Sequence, residues 1–247
     1  MSFSEFNIAL VLCVSRFTPL LLSGGIPPFS QIPKSVRIVL ILVVSTLFSS
    51  TGKLSVIYQA DERMIIFIIS ELLIGLVFIF GIAIVYGAID FVGKMVDIHM
   101  GFAAVSLFNP FSGQAGSLLG NTLVMLLVTL LVTLNIHVEL IRMIGISFEL
   151  VSLGELDFVL DPGKFITHLS GVFVLSVMIF IPVFSALFIV DLAINMVSKS
   201  MPQMNVYFVT LPLKIFCGVV FMALTVRSSA PALVNIARQT TSFLDSF

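Results

Sequence analysis

Residues 64–89 read MIIFIISELLIGLVFIFGIAIVYGAI, an apolar run that contains one charged residue, Glu71. About 20 apolar residues are enough for an α-helix to cross a bilayer. The run has no proline and continues into DFVGKMVDIH at residues 90–99, which predicts one helix of about 40 residues, longer than a bilayer needs. Because a helix satisfies its own backbone polar groups in an apolar setting, this stretch predicts an all-α fold.

Further apolar runs lie on both sides of this helix, and glycine, proline and charged residues separate them. They cover about residues 6–22, 38–48, 118–136, 165–190 and 206–226. We expect the helix that begins at Leu118 to continue through Arg142. The runs are too long for a transmembrane β-barrel and lack its alternating pattern. We therefore predict a polytopic protein of long, kinked helices arranged in hairpins.

The composition supports this class. Of the 247 residues, 59% are hydrophobic and 10% are charged, whereas a soluble domain has about 45–50% apolar and about 25% charged residues. The net charge of −1 creates no basic field for phosphates. These values argue against a soluble enzyme, a disordered chain, a secreted disulfide scaffold and a nucleic-acid-binding protein.

Two further patterns concern the surroundings of the helices. Trp is absent and only 3 Tyr are present, whereas lipid-facing proteins usually carry both residues at the membrane interfaces. The basic residues divide almost evenly between the two sides that six alternating spans would create, so the positive-inside rule gives a weak orientation. Both patterns suggest that much of the apolar surface faces protein.

The sequence contains no recognisable catalytic or metal-binding motif. The histidines His99, His137 and His168 lack a zinc-binding context, and Cys13 and Cys217 lie within apolar runs. No glycine-rich loop precedes a Lys-Ser or Lys-Thr pair. We predict that the protein is not an enzyme and has no catalytic residue, cofactor or metal.

Several polar residues lie within or beside the apolar runs. Glu71 predicts either a hydrogen-bonded contact between helices or a proton relay, and Arg16 is a possible partner. Asp90 and Lys94 are spaced i,i+4 and Lys94 and Asp97 i,i+3, so both pairs share a helix face. We expect this set to form ion pairs between packed helices.

Two more polar side chains are expected on a later helix. Asp191 and Lys199 are eight residues apart, about two helical turns, and therefore share a face. Their chemistry suits pairing between helices or between subunits.

The segment GFAAVSLFNPFSGQAG at residues 101–116 is apolar but rich in glycine. Asn109-Pro110 and the glycines favour turns over helix. Non-helical backbone at membrane depth is tolerated where it is buried in protein or lines a cavity. The bulky Phe108 and Phe111 fit either a pore constriction or an ordinary connection between helices, and the residues alone do not decide between them.

Residues 201–218, MPQMNVYFVTLPLKIFCG, resemble a signature of the FliR family of type III protein export. The matching residues are Pro202, Gln203, Asn205, Pro212 and Gly218, with Lys214 between the last two. Weaker similarities follow in order along the whole chain. They are Glu71 to Gly75, Asp90, Gly93, Asp97, Gly101-Phe102, Asn109-Pro110, His137, Ser147-Phe148, Gly154 and Asp191.

The resemblance implies a non-catalytic subunit of the flagellar export gate, which forms a channel with FliP and FliQ and works alongside FlhB and FlhA. Unfolded flagellar proteins would cross the inner membrane through this channel. One FliR would close the helical assembly, which stands at the basal body and is raised toward the periplasm. The fold would combine a FliP-like part, residues 1–160, with a FliQ-like hairpin, residues 161–247.

The resemblance also implies roles for particular residues. The segment at residues 101–116 would be a plug beneath a methionine-rich ring that FliP supplies, which favours a gating role over a plain connection. Its candidate residues are Phe108, Asn109, Pro110, Phe111, Gly113 and Gly116. Polar contacts within or between subunits would involve Glu71, Asp90, Lys94, Asp97, Asp191, Lys199 and Lys214, and would hold neighbours in register.

Two rival functions are compatible with the sequence. A secondary transporter would have helices broken near Pro182 and Pro212, and a proton relay through Glu71 would favour it. The counterpart of the same family in virulence secretion would share the architecture and differ in its substrates.

Overall fold

The computed structural model describes residues 3–22, 32–50, 64–102, 117–135, 138, 142, 144–148, 151–154, 162–200 and 206–244. These residues form helices and no β-strand, which confirms the predicted all-α class. The main helices are α1 (Phe3–Leu22), α2 (Lys34–Ser50), α3 (Met64–Met100), α4 (Leu118–Thr133), α5 (Pro162–Ser200) and α6 (Val206–Leu244).

Four helical stretches are long and apolar enough to cross a membrane. They are Glu5–Leu22, Met64–Met100, Pro162–Ser200 and Val209–Ser229. The predicted long helix after residue 64 is confirmed, since α3 has 37 residues. The α2 helix has 17 residues, slightly fewer than a straight span of the hydrocarbon core needs.

The prolines within the long helices do not interrupt them. The α5 helix contains Pro182, and the α6 helix contains Pro212 and Pro231. A proline inside a helix removes one backbone hydrogen bond and favours a bend at that point. These helices nevertheless run through their prolines without an unwound segment, in contrast to the broken helices of the transporter hypothesis.

Two helix ends have clear local causes. At the end of α3, Gly101 has a φ of 86°, and the amides of Gly101 and Phe102 donate to the carbonyls of Ile98 and Asp97. This is the hydrogen-bond pattern of a Schellman cap, for which a glycine at the left-handed position is favourable.

The end of α4 differs from the sequence prediction. The helix ends at Thr133, and Asn135 adopts a φ of 56°. Asn tolerates the left-handed conformation because its short side chain can form local hydrogen bonds. The prediction of one continuous helix from Leu118 through Arg142 is therefore wrong.

The chain divides into two compact units, and α3, α5 and α6 each contribute to both. The first unit comprises residues 1–84, 131–168 and 239–247, and the second comprises residues 85–130 and 169–238. The core of the first unit contains Ala9, Leu12, Cys13, Phe17, Ile41, Phe148 and Leu153. In the second unit, aromatic rings of α3 and α5 are in contact. The ring centroids of Phe91 and Phe173 are 5.0 Å apart, and those of His99 and Phe184 are 5.6 Å apart.

Candidate functional site

A buried ion pair lies at the centre of the first unit. Nε of Arg16 on α1 donates to Oε2 of Glu71 on α3 at 2.5 Å. Arg16 is 2% exposed and Glu71 is 0% exposed. The structure thus supplies a partner that the sequence left open, because the two residues are 55 positions apart.

The remaining polar groups of this pair are also satisfied. Nη1 of Arg16 donates to the carbonyl of Ser147 at 2.9 Å, and Nη2 donates to the carbonyl of Val151 at 3.2 Å. Oε1 of Glu71 accepts from the amide of Gly154 at 3.2 Å. The pair therefore connects two helices with the segment at residues 147–154.

Aromatic rings shield the guanidinium group. The ring of Phe148 lies 4.3 Å from Cζ of Arg16, within the range of a cation–π contact. The centroid of the Phe148 ring also lies 5.7 Å from that of Phe17 and 5.3 Å from that of Phe48. This surrounding lowers the effective dielectric and makes complete pairing of both charges necessary.

A glycine allows the two helices to come this close. A Cβ atom on Gly75, one turn after Glu71, would overlap the backbone oxygen of Arg16 and lie 3.1 Å from Cδ of Pro19. The four-residue spacing from Glu71 to Gly75 therefore places the carboxylate that binds Arg16 one turn from the glycine that lets α1 approach α3. The carboxylate and the missing side chain lie on the same face of α3.

In the second unit, Asp97 stabilises the start of α4. Its carboxylate accepts from Oγ of Ser117 and from the amide of Leu119, the latter at 3.1 Å. Oγ of Ser117 in turn accepts from the amide of Gly120 at 2.7 Å, as an N-cap residue does. A carboxylate near the N-terminus of a helix also interacts favourably with the helix dipole.

The spacing of Asp90, Lys94 and Asp97 gives one ion pair within α3. Nζ of Lys94 pairs with Oδ2 of Asp90, and their side chains are 53% and 30% exposed. Asp97 is 5% exposed and accepts from Ser117 and Leu119. The expected ion pairing of Asp97 across helices is thus replaced by a helix cap, which sequence reasoning missed because Ser117 is 20 residues away.

Two glycines lie at the contact between α3 and α4. A Cβ atom on Gly93 would overlap Cα of Gly120, and one on Gly120 would lie 2.8 Å from Oδ1 of Asp90. Small residues let the two backbones approach closely. The glycines therefore set the position of Asp97 against the first turn of α4.

A second ion pair connects α5 and α6. Nζ of Lys214 pairs with Oδ1 of Asp191, with side chains 20% and 32% exposed. Lys199 is exposed at the end of α5. Asp191 thus pairs across helices with Lys214 of the motif at residues 201–218.

The other predicted residues fall into two groups. Gly218 lies against Met100, whose side-chain atoms would be 2.6 Å from an added Cβ, and Pro212 lies inside α6. The candidate plug residues Phe108, Asn109, Pro110, Phe111, Gly113 and Gly116 lie outside the described residues. So do the motif residues Pro202, Gln203 and Asn205.

The described residues contain no group of three or more His, Cys, Asp or Glu side chains that could hold a metal ion. The polar clusters described above are pairs and caps whose hydrogen bonds are made within the chain. Their geometry is that of structural contacts between helices.

Comparison with known proteins identifies the family. The model of the family described as bacterial export proteins, family 1, matches residues 7–240. The chain belongs to this family, which confirms the resemblance to FliR.

Three relatives, each a flagellar biosynthetic protein FliR, illustrate the similarity. The protein of Bacillus subtilis (strain 168) is 28% identical over 161 residues, covering 64% of this chain and 62% of the relative. That of Aquifex aeolicus (strain VF5) is 25% identical over 223 residues, covering 90% and 86%. That of Buchnera aphidicola subsp. Baizongia pistaciae is 22% identical over 251 residues, covering 97% and 96%. The first alignment thus spans less than two thirds of its relative.

We expect removal of one partner of the buried ion pair to destabilise the first unit strongly. Arg16→Met leaves the Glu71 carboxylate buried without its counter-ion, which lowers the free energy of unfolding by about 3–5 kcal/mol. Chemical denaturation of the purified chain in detergent measures this change. The double variant Arg16→Met/Glu71→Met buries no charge and should recover part of the loss.

Lys94→Met is the matched control, because it removes the basic partner of an ion pair that is about half exposed. Its expected cost is below about 1 kcal/mol. Equal losses for Arg16→Met and Lys94→Met would show that burial of the Arg16–Glu71 pair is not what makes it important.

The glycine contact between α3 and α4 gives a second prediction. Gly93→Ala places a methyl group against the backbone of Gly120, and this overpacking lowers the free energy of unfolding by about 1–3 kcal/mol. Gly87→Ala is the control on the same helix, because a Cβ there has no atom within 4 Å. Helix propensity predicts that the control is neutral or stabilising by up to about 1 kcal/mol. The prediction fails if both variants unfold at the same denaturant concentration.

Proposed function

We propose that this chain is a non-catalytic subunit of the flagellar type III export gate. Together with FliP and FliQ it would form the channel through which unfolded flagellar proteins cross the inner membrane. The observation that carries this proposal is the family match over residues 7–240. The relatives named above are all flagellar proteins, which favours the flagellar system over virulence secretion.

The exposed surface of the isolated chain supports a role within a larger membrane assembly. Large apolar side chains are exposed along α2, α5 and α6, for example Leu47 at 61%, Met196 at 72% and Phe216 at 67%. A soluble monomer rarely exposes so many large apolar side chains. Lipid together with FliP and FliQ would cover it, and FlhB and FlhA are further expected partners.

The location of the chain in the cell is proposed from its apolar helices and its family. Four helices able to cross a membrane, together with the family, fit a protein of the bacterial inner membrane. We place the assembly at the flagellar basal body, raised toward the periplasm. In this position the chain closes the helical assembly of FliP and FliQ subunits.

The proposed mechanism is steric. Phe108 and Phe111 seal the channel as parts of a plug at residues 101–116, and an arriving substrate displaces them. The Schellman cap at Gly101 supports this assignment, because it ends α3 sharply where the plug begins. At the other side, the cap formed by Asp97 and Ser117 fixes the start of α4. The plug would thus connect the end of α3 to the start of α4, and the hydrogen bonds of Asp97 would keep these two helix ends close together.

The contacts inside each unit would stabilise the packing of its own helices. The Asp191–Lys214 pair ties α5 to α6, and the buried pair ties α1 to α3. The exposed Lys94 and Lys199 are candidates for contacts with neighbouring subunits, where complementary charges set register and specificity.

The gate proposal is tested first by purification. The chain, carrying an affinity tag and expressed with FliP and FliQ from the same organism, should be isolated as a complex of defined mass by native mass spectrometry. A secondary transporter would instead be isolated as a monodisperse single chain. Recovery of the chain alone under conditions where FliP and FliQ are present would count decisively against the gate.

The plug is tested by conductance of the assembled complex. Phe108→Ala/Phe111→Ala, or deletion of residues 113–116, should raise the ion conductance of the complex in planar bilayers, because smaller side chains no longer block the channel. Phe80→Ala is the control, since it removes an exposed ring on α3 that lies about 30 Å along the helix before Gly101. Unchanged conductance of a correctly assembled complex would refute the plug assignment.

A further inference from the structure

The α2 helix is mostly polar on its buried side and apolar on its exposed side. Its buried residues are Arg37, Ile41, Ser45 and Ser49, each four positions after the one before. We define its outer face by six exposed side chains, those of Val36, Ile38, Val39, Leu42, Val43 and Leu47. A surface helix of a soluble protein has the opposite pattern, with its apolar stripe toward the core. The outer face therefore suits an apolar surrounding.

The inner side of α2 packs against α1 within the first unit. The ring of Phe48 on α2 lies 5.4 Å from that of Phe17 on α1, measured between centroids. Arg37 is 6% exposed, and its Nε donates to the carbonyl of Ile32 at 2.8 Å. The contacts of α2 within the chain thus use its inner side and leave the outer face exposed.

The outer face is wide. At 3.6 residues per turn, its six side chains cover about 180° of the helix circumference. Packing against one side of a neighbouring structure covers a stripe of about 100°. A single partner helix would therefore leave part of the outer face in contact with water, whereas a fluid of acyl chains covers a convex surface completely.

The composition of the outer face also differs from that of the helix contacts inside the chain. Those contacts depend on glycines, at Gly75 between α3 and α1 and at Gly93 and Gly120 between α3 and α4. Small residues are what let helices in membranes approach closely. The outer face consists of Val, Ile and Leu, which favour insertion into lipid.

The polar groups beside the outer face do not require a protein partner. Oγ1 of Thr46 donates to the carbonyl of Val43, and Oγ of Ser50 donates to the carbonyl of Leu47, both at 2.8 Å. These hydroxyl protons are thus already bonded within the helix, as an apolar surrounding demands. Protein interfaces usually have a polar rim that forms hydrogen bonds across to the partner, and this face is poor in groups that could form them.

The length of the outer face indicates how deep it lies. From Val36 to Leu47 the helix rises about 17 Å, whereas the hydrocarbon core of a bilayer is about 30 Å thick. The charged residues of α2, Lys34 and Arg37, are both in its first turn, and the helix has no charge from there to Ser50. The apolar stretch therefore matches one leaflet.

We propose that the outer face of α2 is a lipid-contacting surface, immersed in the acyl chains of one leaflet, with the first turn at the level of the headgroups. The four helices long enough to cross a membrane do not include α2, so this lipid contact is additional to them. The proposal rests on the location of the chain in a membrane and not on its role in an export gate. Failure of the gate proposal would leave it unaffected.

The occupant of the outer face is identified by photo-crosslinking in the cell. The photoreactive amino acid p-benzoylphenylalanine is introduced by amber suppression at Val39, Val43 or Leu47 of the full-length chain, which is then irradiated, purified and weighed by mass spectrometry. We expect a mass increase equal to one phospholipid at each position. Exposed positions tolerate the larger side chain, because it displaces nothing within the chain.

Phe48 is the matched control for Leu47. The two residues are adjacent, but Phe48 is turned by about 100° and its ring is in contact with Phe17. The photoreactive group at Phe48 should give no phospholipid adduct. Adducts with another protein at the outer positions, whether a second copy or a different subunit, overturn the proposal. Equal lipid labelling at Leu47 and Phe48 overturns it as well.

Fluorescence quenching tests the same contact in the purified protein. The chain contains no Trp, so the difference between Leu47→Trp and the parent protein, each with whatever subunits accompany it, reports the new indole. In vesicles of phosphatidylcholine brominated on its acyl chains, Leu47→Trp should lose most of this emission, because bromine quenches on contact. Phe48→Trp should keep its emission. Persistent emission of Leu47→Trp in brominated vesicles would overturn the proposal.

Discussion

The buried pair of Arg16 and Glu71 is the constraint on which the first unit depends. Removing two charges from water costs several kcal/mol for each ion, and only close pairing with full hydrogen bonding recovers this cost. The guanidinium therefore needs the carbonyls of Ser147 and Val151, and the carboxylate needs the amide of Gly154. These requirements fix α1, α3 and the segment at residues 147–154 in a single arrangement. Gly75 is part of the same constraint, since a side chain there would push the two helices apart.

In the second unit, the polar backbone groups at helix ends also need hydrogen-bond partners. A helix leaves its first amides without intrahelical partners, which is costly in an apolar surrounding. The side chains of Asp97 and Ser117 accept from two of these amides at the start of α4, those of Leu119 and Gly120, and the cap at Gly101 satisfies carbonyls at the end of α3. Polar residues thus lie where the helices begin or end. A plug at residues 101–116 would begin at the cap of α3 and end at the cap of α4.

Sequence reasoning predicted the class of the fold and the length of α3, because hydropathy and helix breakers are local signals. It also singled out Glu71 and the set from Asp90 to Asp97 as polar residues in an apolar context. It could not assign partners, since Arg16 and Glu71 are 55 residues apart. The contact of Ser117 with Asp97 likewise forms only when the chain brings the start of α4 back beside the end of α3. Asn135 was missed for a different reason: a single residue in the left-handed conformation ends α4 while the apolar pattern continues to residue 136. The plug residues lie outside the described ranges and stay a prediction.

The length of α3 bears on what surrounds the chain. At about 1.5 Å per residue, its 37 residues extend about 55 Å, whereas the hydrocarbon core of a bilayer is about 30 Å thick. The apolar residues 64–89 suffice for that core, so the end that carries Asp90, Lys94 and Asp97 would lie beyond it. An exposed pair such as Asp90–Lys94 would be costly against lipid tails but inexpensive in water or against a polar surface of another subunit. Hydropathy does not distinguish lipid from protein, because lipid tails are as apolar as leucine. The half-exposed Asp90–Lys94 pair of α3 does distinguish them, because it favours water or a polar partner over lipid tails at that part of the helix.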